Sequence, residues 1–369
     1  MINGERVKQA REFKKLTQAE LAKRLDIRQS AIAQIENGNT QPSEEVLQGI
    51  VLQTGFPLGF FRQPTSTDFP LGSLMFRARA SMTYKDKCEA HQYGRTIFEL
   101  HEALEQYVNK IPLTLPRVSE EPAKAAKLTR SAFGLSPETP ISNLIHAAEK
   151  AGVTVLALPK ALNKRDAYAV WVSRESLRPV IIVSACNNGD RLRFSVAHEL
   201  GHLVLHHSVR VDMPTLEAEA DLFASELLMP EEAMRRELTT PVTLAGLAAL
   251  KARWKVSIQA LVRRALQLNI ITARQYKYLM EQVGHRGWRT QEPVAIQAER
   301  PRALRKMAEL VYGLPLNYRR IASACNLPIP LVRDTLEVYA GKVGATPKPA
   351  EKHVSEVREL TDFTRRKSS

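Results

Sequence analysis

The chain is poor in cysteine. Its 369 residues hold only three, Cys88, Cys186 and Cys325, widely spaced and odd in number. That excludes a disulfide framework and points to a reducing compartment. No apolar run approaches the roughly 20 residues that a membrane-spanning helix needs. The opening Met1-Ile2-Asn3-Gly4-Glu5-Arg6-Val7-Lys8 has no apolar stretch of the kind a secretory signal carries. Acidic residues are outnumbered: 39 Asp and Glu stand against 53 Lys and Arg, a net charge of +14. The expectation is a cytoplasmic protein, with no membrane partner and with a polyanion as a plausible one. A hydrophobic content of 44% and a charged content of 25% suit a globular chain long enough for two or three domains.

The periodicities predict a predominantly α protein with a small β-sheet, an α+β chain. Residues 1–65 read as a bundle of four or five short helices. Arg6–Phe13 begins the first. Thr17 with Glu20 three residues later is a capping box, so a second helix starts there and runs to about Leu25. Asp26-Ile27 turns the chain into a third helix, Gln29–Asn37, which Gly38 stops. Pro42-Ser43 opens a fourth through Gln53. Leu21, Ala22, Leu25, Ile27, Ile32 and Ile35 form the apolar seam. Two short helices joined by a tight turn inside such a bundle make a helix-turn-helix.

The strings L-T-Q-A-E-L-A, I-R-Q-S-A-I-A-Q-I-E-N-G and Q-P-S closely resemble the lambda-repressor-like (XRE) family over about the first 60 residues. The resemblance implies that the third helix enters the major groove of operator DNA. It places Arg28, Gln29, Ser30 and Gln34 at base edges or phosphates and Gln18 at a phosphate. The chemistry agrees, because Gln can pair with adenine, and Arg with guanine, through two hydrogen bonds. Domain charge adds little, since nine Lys and Arg face seven Asp and Glu in residues 1–65. XRE domains read paired half-sites, which implies a homodimer, although nothing in the residues fixes the oligomer.

Residues 66–135 read as linker and connector. Pro64–Gly72 is rich in Pro, Thr and Ser, and 75–82 is basic. A long helix fits Tyr84 to about Asn109, and another fits Ala123–Phe133. Residues 136–240 carry the catalytic candidate. Val153–Leu158, Tyr168–Val172 and Val180–Val183 read as three strands. A helix from Arg191 to about His207 follows, and a second helix begins near Thr215 and ends before Met229-Pro230.

The first of these helices contains His198-Glu199-Leu200-Gly201-His202, an H-E-x-x-H. Residues four apart share one helix face, so His198 and His202 can offer two imidazole nitrogens to one Zn²⁺. Glu199, one step round, is placed as the catalytic general base. A catalytic zinc needs three protein ligands and one open position. His206 cannot complete the set, because two helical turns span about 11 Å and donors on one metal stand no more than about 4 Å apart. The third ligand must come from the following helix, where Glu217 and Glu219 are candidates on different faces. Glu217 shares its face with Asp221, and this E-x-x-x-D spacing resembles H-E-x-x-H peptidases of the gluzincin type. That resemblance implies Glu217 as the third ligand and Asp221 as the partner of a ligating histidine's second nitrogen. For a donor on the far side of the site, Tyr168, Arg193 and His207 are available.

The longer segment, R-F-S-V-A-H-E-L-G-H-L-V-L-H followed by E-x-E-A-D-x-F-A-x-E-L-L-M-P, resembles the ImmA/IrrE metallopeptidases. That resemblance implies one Zn²⁺ per chain. It also implies a protein substrate that is a transcriptional repressor or regulator, cleaved to control stress, DNA-damage or mobile-element genes. An XRE domain on the same chain is common in that family. The alternative reading is a transcription factor whose zinc site is structural or sensory, without turnover. Residues 241–340 predict a C-terminal helical bundle, with 291–299 as a linker inside it and Ile321–Leu336 in the outline of a second helix-turn-helix. Residues 341–369 read as a disordered tail.

Overall fold

The computed structural model describes residues 1–65, 69, 83–158, 167–173, 177–184, 188–206 and 213–338. The basic stretch 75–82, Cys186, His207 and the tail from 341 lie outside the described residues, as does most of the expected 64–72 linker.

Five helices open the chain: α1 (Gly4–Phe13), α2 (Gln18–Arg24), α3 (Gln29–Glu36), α4 (Glu44–Thr54) and α5 (Leu58–Arg62). Thr17 caps α2 in the expected box with Glu20, and Ser43 caps α4. Gly38 follows α3 with φ +75°, the left-handed conformation that ends a helix without strain in glycine. Leu21, Ala22, Ile32 and Ile35 are buried as the seam requires, and Leu25 and Ile27 are half-buried against them. An ion pair locks the arrangement: Arg11 donates to both carboxylate oxygens of Glu36, at 2.5 and 2.9 Å, and to the Leu16 carbonyl at 2.7 Å. Such a two-pronged buried pair fixes orientation as well as distance.

This bundle is fused to the rest of the molecule. Val7, Ala10, Ile50, Phe56, Phe60 and Phe61 belong to the same apolar core as the long helix α6 (Tyr84–Glu105) and the sheet beyond it. Phe13 stacks on Tyr93 of α6, with ring centroids 5.1 Å apart. Polar contacts line the same seam. Arg6 donates to Glu99 at 2.6 Å, Gln9 to Thr96 at 3.1 Å and Gln92 to Glu12 at 2.7 Å.

Next come α7 (Pro122–Ala132), α8 (Leu144–Lys150) and three strands, β1 (Thr154–Leu158), β2 (Ala167–Ser173) and β3 (Leu177–Ser184). The sheet order is β1-β3-β2, with β1 parallel and β2 antiparallel to β3. Tyr168 and Ile182 face each other across β2 and β3, and α6 lies against this pair. At Gly94 of α6 a Cβ would stand 2.5 Å from the Tyr168 hydroxyl and 2.6 Å from Ile182 Cδ1. Two further helices, α9 (Gly189–Leu205) and α10 (Met213–Leu228), lean on the other elements: α9 on β2, β3 and α10, and α10 on α7. The buried Arg130 of α7 donates to the Leu227 carbonyl at 2.6 Å and so holds the end of α10.

The remainder is helical: α11 (Glu231–Glu237), α12 (Leu244–Trp254), α13 (Ile258–Gln267), α14 (Ala273–His285), α15 (Ala303–Tyr312), α16 (Tyr318–Cys325) and α17 (Ile329–Val338). The stretch 291–299, expected as a linker, is a packed strap. Its Ile296 carbonyl accepts from Gly189 N–H at 3.1 Å, and a Cβ on Gly189 would stand 2.4 Å from the Gln297 oxygen. Glu292 accepts from Lys251 at 2.9 Å, and Glu299 pairs with the buried Arg193. Beyond the strap, α15 packs on α6 and β1, and α17 packs on β1. Tyr93 of α6 meets Thr335 of α17 at 3.3 Å. No helix among the described residues is long and apolar enough to cross a membrane.

Gly94→Ala tests how closely α6 sits on the sheet. Overpacking of this kind costs about 1–3 kcal/mol. Urea denaturation should show a lower midpoint, and an unchanged midpoint would contradict the packing.

Candidate metal centre and DNA-facing surface

Helix α9 begins after Asn188 and carries its buried face, Leu192, Val196, Leu200 and Leu203, against the core. That register turns His198 and His202 toward α10, which runs antiparallel alongside. The two Nε2 atoms lie 3.1 Å apart. The Glu217 carboxylate on α10 reaches both, at 3.8 Å from His198 Nε2 and 3.4 Å from His202 Nε2. One ligand atom from each of His198, His202 and Glu217 lies within 4.8 Å of the other two. Two neutral nitrogens and one carboxylate oxygen at this spacing suit Zn²⁺, whose donors stand about 2.0–2.2 Å from the ion.

Each imidazole is held from behind. Asp221, one turn along α10 from Glu217, has Oδ1 2.7 Å from His198 Nδ1. This bond keeps the proton on Nδ1 and aims the Nε2 lone pair at the cluster. His202 Nδ1 is 2.7 Å from His206 Nδ1, and His206 Nε2 is 2.9 Å from Glu219 Oε2. Burial pushes the His206 imidazole below its ordinary pKa, against the opposing pull of Glu219. The two glutamates that the sequence offers thus part company. Glu217 faces the ligand nitrogens, and Glu219 belongs to the His206 end. The His206–Glu219 pair has no motif to announce it.

Glu199 is buried, with 2% of its surface exposed, in the same turn as His198. Of the residues considered for the far side, Arg193 is occupied with structure. It is bonded to Glu299 and, at 2.8 Å, to the Ile141 carbonyl. Tyr168 donates to the Ala90 carbonyl at 3.2 Å. His207 lies outside the described residues. Asp221 has a further neighbour that sequence reasoning missed: its Oδ2 is 3.6 Å from the Arg263 guanidinium on α13.

At the other end of the molecule, Arg28, Gln29, Ser30 and Gln34 are all exposed on α3 or at its N-terminus. Arg28 occupies the N-cap position with no side-chain cap bond. Gln34 accepts a long bond from Thr40 at 3.5 Å. Gln18 differs: it is half-buried and donates to Glu36 at 2.8 Å, the carboxylate that also holds Arg11. The four exposed side chains present a single polar row, with Gln18 beside it.

Comparison with known proteins agrees with this division. Residues 4–59 match the family described as a helix-turn-helix domain, and residues 148–266 match the family described as an IrrE N-terminal-like domain. The chain therefore carries an XRE-like helix-turn-helix domain followed by a domain of the ImmA/IrrE metallopeptidase type. The second match extends past α11 into α13, so it includes Arg263. No curated protein matches the chain. Among solved structures, Bacillus thuringiensis PlcR in complex with the peptide PapR7 and DNA aligns over 91% of this chain and 95% of its own, at 13% identity and a TM-score of 0.15. A similarity that low carries no argument.

Ligand binding to the folded state alone stabilises it by about 2.7 kcal/mol when free ligand is about 100-fold above Kd. Zn²⁺ should therefore raise the thermal midpoint of the metal-free protein, and Glu217→Ala should abolish most of the rise. An equal rise in that variant would exclude Glu217 from the cluster.

Proposed function

We propose that this protein is a DNA-bound regulator with zinc-dependent endopeptidase activity, which cleaves a transcriptional repressor or another regulator, or itself, to release genes of stress, DNA-damage or mobile-element responses. The observation that carries the reading is the convergence of His198, His202 and Glu217 with Glu199 in the same helical turn. These three would hold one Zn²⁺. When bound, that ion supplies a Lewis acid for the scissile carbonyl and makes water a nucleophile near neutral pH. Everything else is the work of the chain. Asp221 and His206 orient the two imidazoles. Glu199 takes the proton from the attacking water and passes it to the leaving amine. A purely structural zinc would have no use for Glu199, which is not among the three converging donors.

The surroundings favour a polypeptide substrate. Among the described residues β2 is an edge of the sheet, and it packs on α9. An extended peptide can align along such an edge through main-chain hydrogen bonds. The helix-turn-helix end sets the context. The row of Arg28, Gln29, Ser30 and Gln34 offers major-groove hydrogen bonding, and the +14 chain favours a polyanion. Because the two ends share one core, the peptidase is delivered to DNA as a fixed attachment. That argues for a regulatory cut in the cytoplasm, at or near the nucleoid, over general degradation. Paired half-sites would call for a homodimer.

Two outcomes follow. Glu199→Gln should keep zinc, measured by metal analysis, and lower cleavage of the regulator encoded beside this chain by about 10²–10⁴-fold; undiminished cleavage would rule out Glu199 as the base. Arg28→Ala with Gln29→Ala should cost about 1–3 kcal/mol per lost base contact in operator affinity at fixed salt, with little change in binding to unrelated DNA. Equal operator affinity would remove α3 from the groove.

A further inference from the structure

The groove between α9 and α10 continues past the metal cluster. Arg191, Ser195, His198 and His202 follow one another at spacings of four, three and four, so they share a face of α9. Ser225, Asp221 and Glu217 do the same on antiparallel α10. The cluster occupies one end of this groove. The other end opens into a cavity of about 1030 Å³, lined among others by Arg191, Ser195, Ser225 and Arg263 and closed over by the 288–296 strap. The hydrogen bond from His198 to Asp221 is the partition between the two.

The lining has a definite chemistry. Four cationic side chains face it, Arg191, Lys251, Arg263 and Arg289, against two acidic ones, Asp190 and Glu292. Both acids are bonded to the buried Lys251, so the charge left to the cavity is that of the three arginines, all exposed. Phe194, Tyr276 and Trp288 supply flat apolar wall. Guanidinium groups beside aromatic rings recognise an anion that carries an aromatic ring, through charge, hydrogen bonds and stacking. The volume falls at the top of the range of about 300–1,000 Å³ found for small-molecule sites.

We propose that this cavity is an effector site for a small anionic aromatic ligand, of the mononucleotide kind, whose binding is felt at the metal cluster through Arg263 and Asp221. The coupling half rests on the reading of His198, His202 and Glu217 as zinc ligands. A substrate chain is the weaker occupant. The cavity lies on the Nδ1 side of His198, away from the point where the donors converge, and the His198–Asp221 bond closes the way between them. Arg263 is the link. Its guanidinium stands 3.6 Å from Asp221 Oδ2. An anion that draws Arg263 away leaves more of the Asp221 charge on His198, and a more basic imidazole is a stronger ligand. Linkage then requires zinc to tighten the effector by the same factor.

The test uses the full chain and a dye, 8-anilinonaphthalene-1-sulfonate, as the anionic aromatic probe, with adenosine monophosphate as competitor. Zinc alone is titrated first; failure to bind would overturn the metal reading, and the effector role with it, before any ligand is added. In the metal-free protein the dye should saturate at one site, quench Trp288, and be displaced by the nucleotide. Arg289→Glu should weaken it tenfold or more with an unchanged circular dichroism spectrum, and Arg191→Glu serves as the second variant. With dye or nucleotide present, zinc Kd should fall severalfold in the wild type and stay constant in Arg263→Gln. Three results would overturn the proposal: equal dye affinity in both charge-reversal variants, an unmoved zinc Kd at saturating ligand, or displacement by the peptide Glu-Glu-Phe-Glu-Glu but not by the nucleotide. The last would make the cavity a peptide site.

Discussion

Helices α9 and α10 touch at Gly201, and the chemistry of the molecule depends on that contact. A Cβ at this position would stand 3.1 Å from Phe223 Cδ1 and 3.2 Å from the Ala220 Cα. Glycine lets the two backbones approach until Glu217 and Asp221 reach across to His198 and His202. The approach is held from outside as well. Ala220, Phe223 and Ala224 are fully buried. Arg130 grips the last turn of α10 at the Leu227 carbonyl, and Arg264 pairs with Glu226 while donating to the Met229 carbonyl at 2.9 Å. Each is a buried charge satisfied by several partners, and removing one partner of such a pair leaves a cost of about 3–5 kcal/mol. The metal cluster inherits its precision from these supports.

The second constraint is the spine formed by α6. It carries the helix-turn-helix bundle on one side through Arg6–Glu99, Gln9–Thr96 and Phe13–Tyr93, and it lies on the sheet on the other. The C-terminal helices return to it at Thr335. The same core thus runs from the DNA-facing bundle to the floor of α9. A flexible tether would let the peptidase domain search a volume around the operator; this arrangement fixes its direction relative to the DNA axis.

Much of this was legible in the sequence, and the part that was not has a common cause. The capping box at Thr17, the seam of Leu21, Ala22, Ile32 and Ile35, and the three strands are local patterns, and they stand within a residue or three of their expected bounds. H-E-x-x-H with Glu217 and Asp221 was legible because helical spacing alone puts those atoms on facing stripes. Helices α5 and α11 escaped notice: both are short, follow a proline, and have no side-chain cap. The strap at 291–299 read as a linker because its anchors are distant. Glu299 holds Arg193 from 106 residues away, a pairing with no local signature, and the same pairing removes Arg193 from the list of catalytic donors. Arg263 beside Asp221 was invisible for the same reason.

X-ray absorption at the zinc edge tests the central claim most directly, because coordination distinguishes a catalytic metal from a structural one. The zinc-loaded protein should show two imidazole nitrogens and oxygen donors at about 2.0–2.2 Å, no sulfur, and an oxygen that exchanges with added thiol or hydroxamate. A closed set of protein ligands, or a sulfur shell before any thiol is added, would contradict the account.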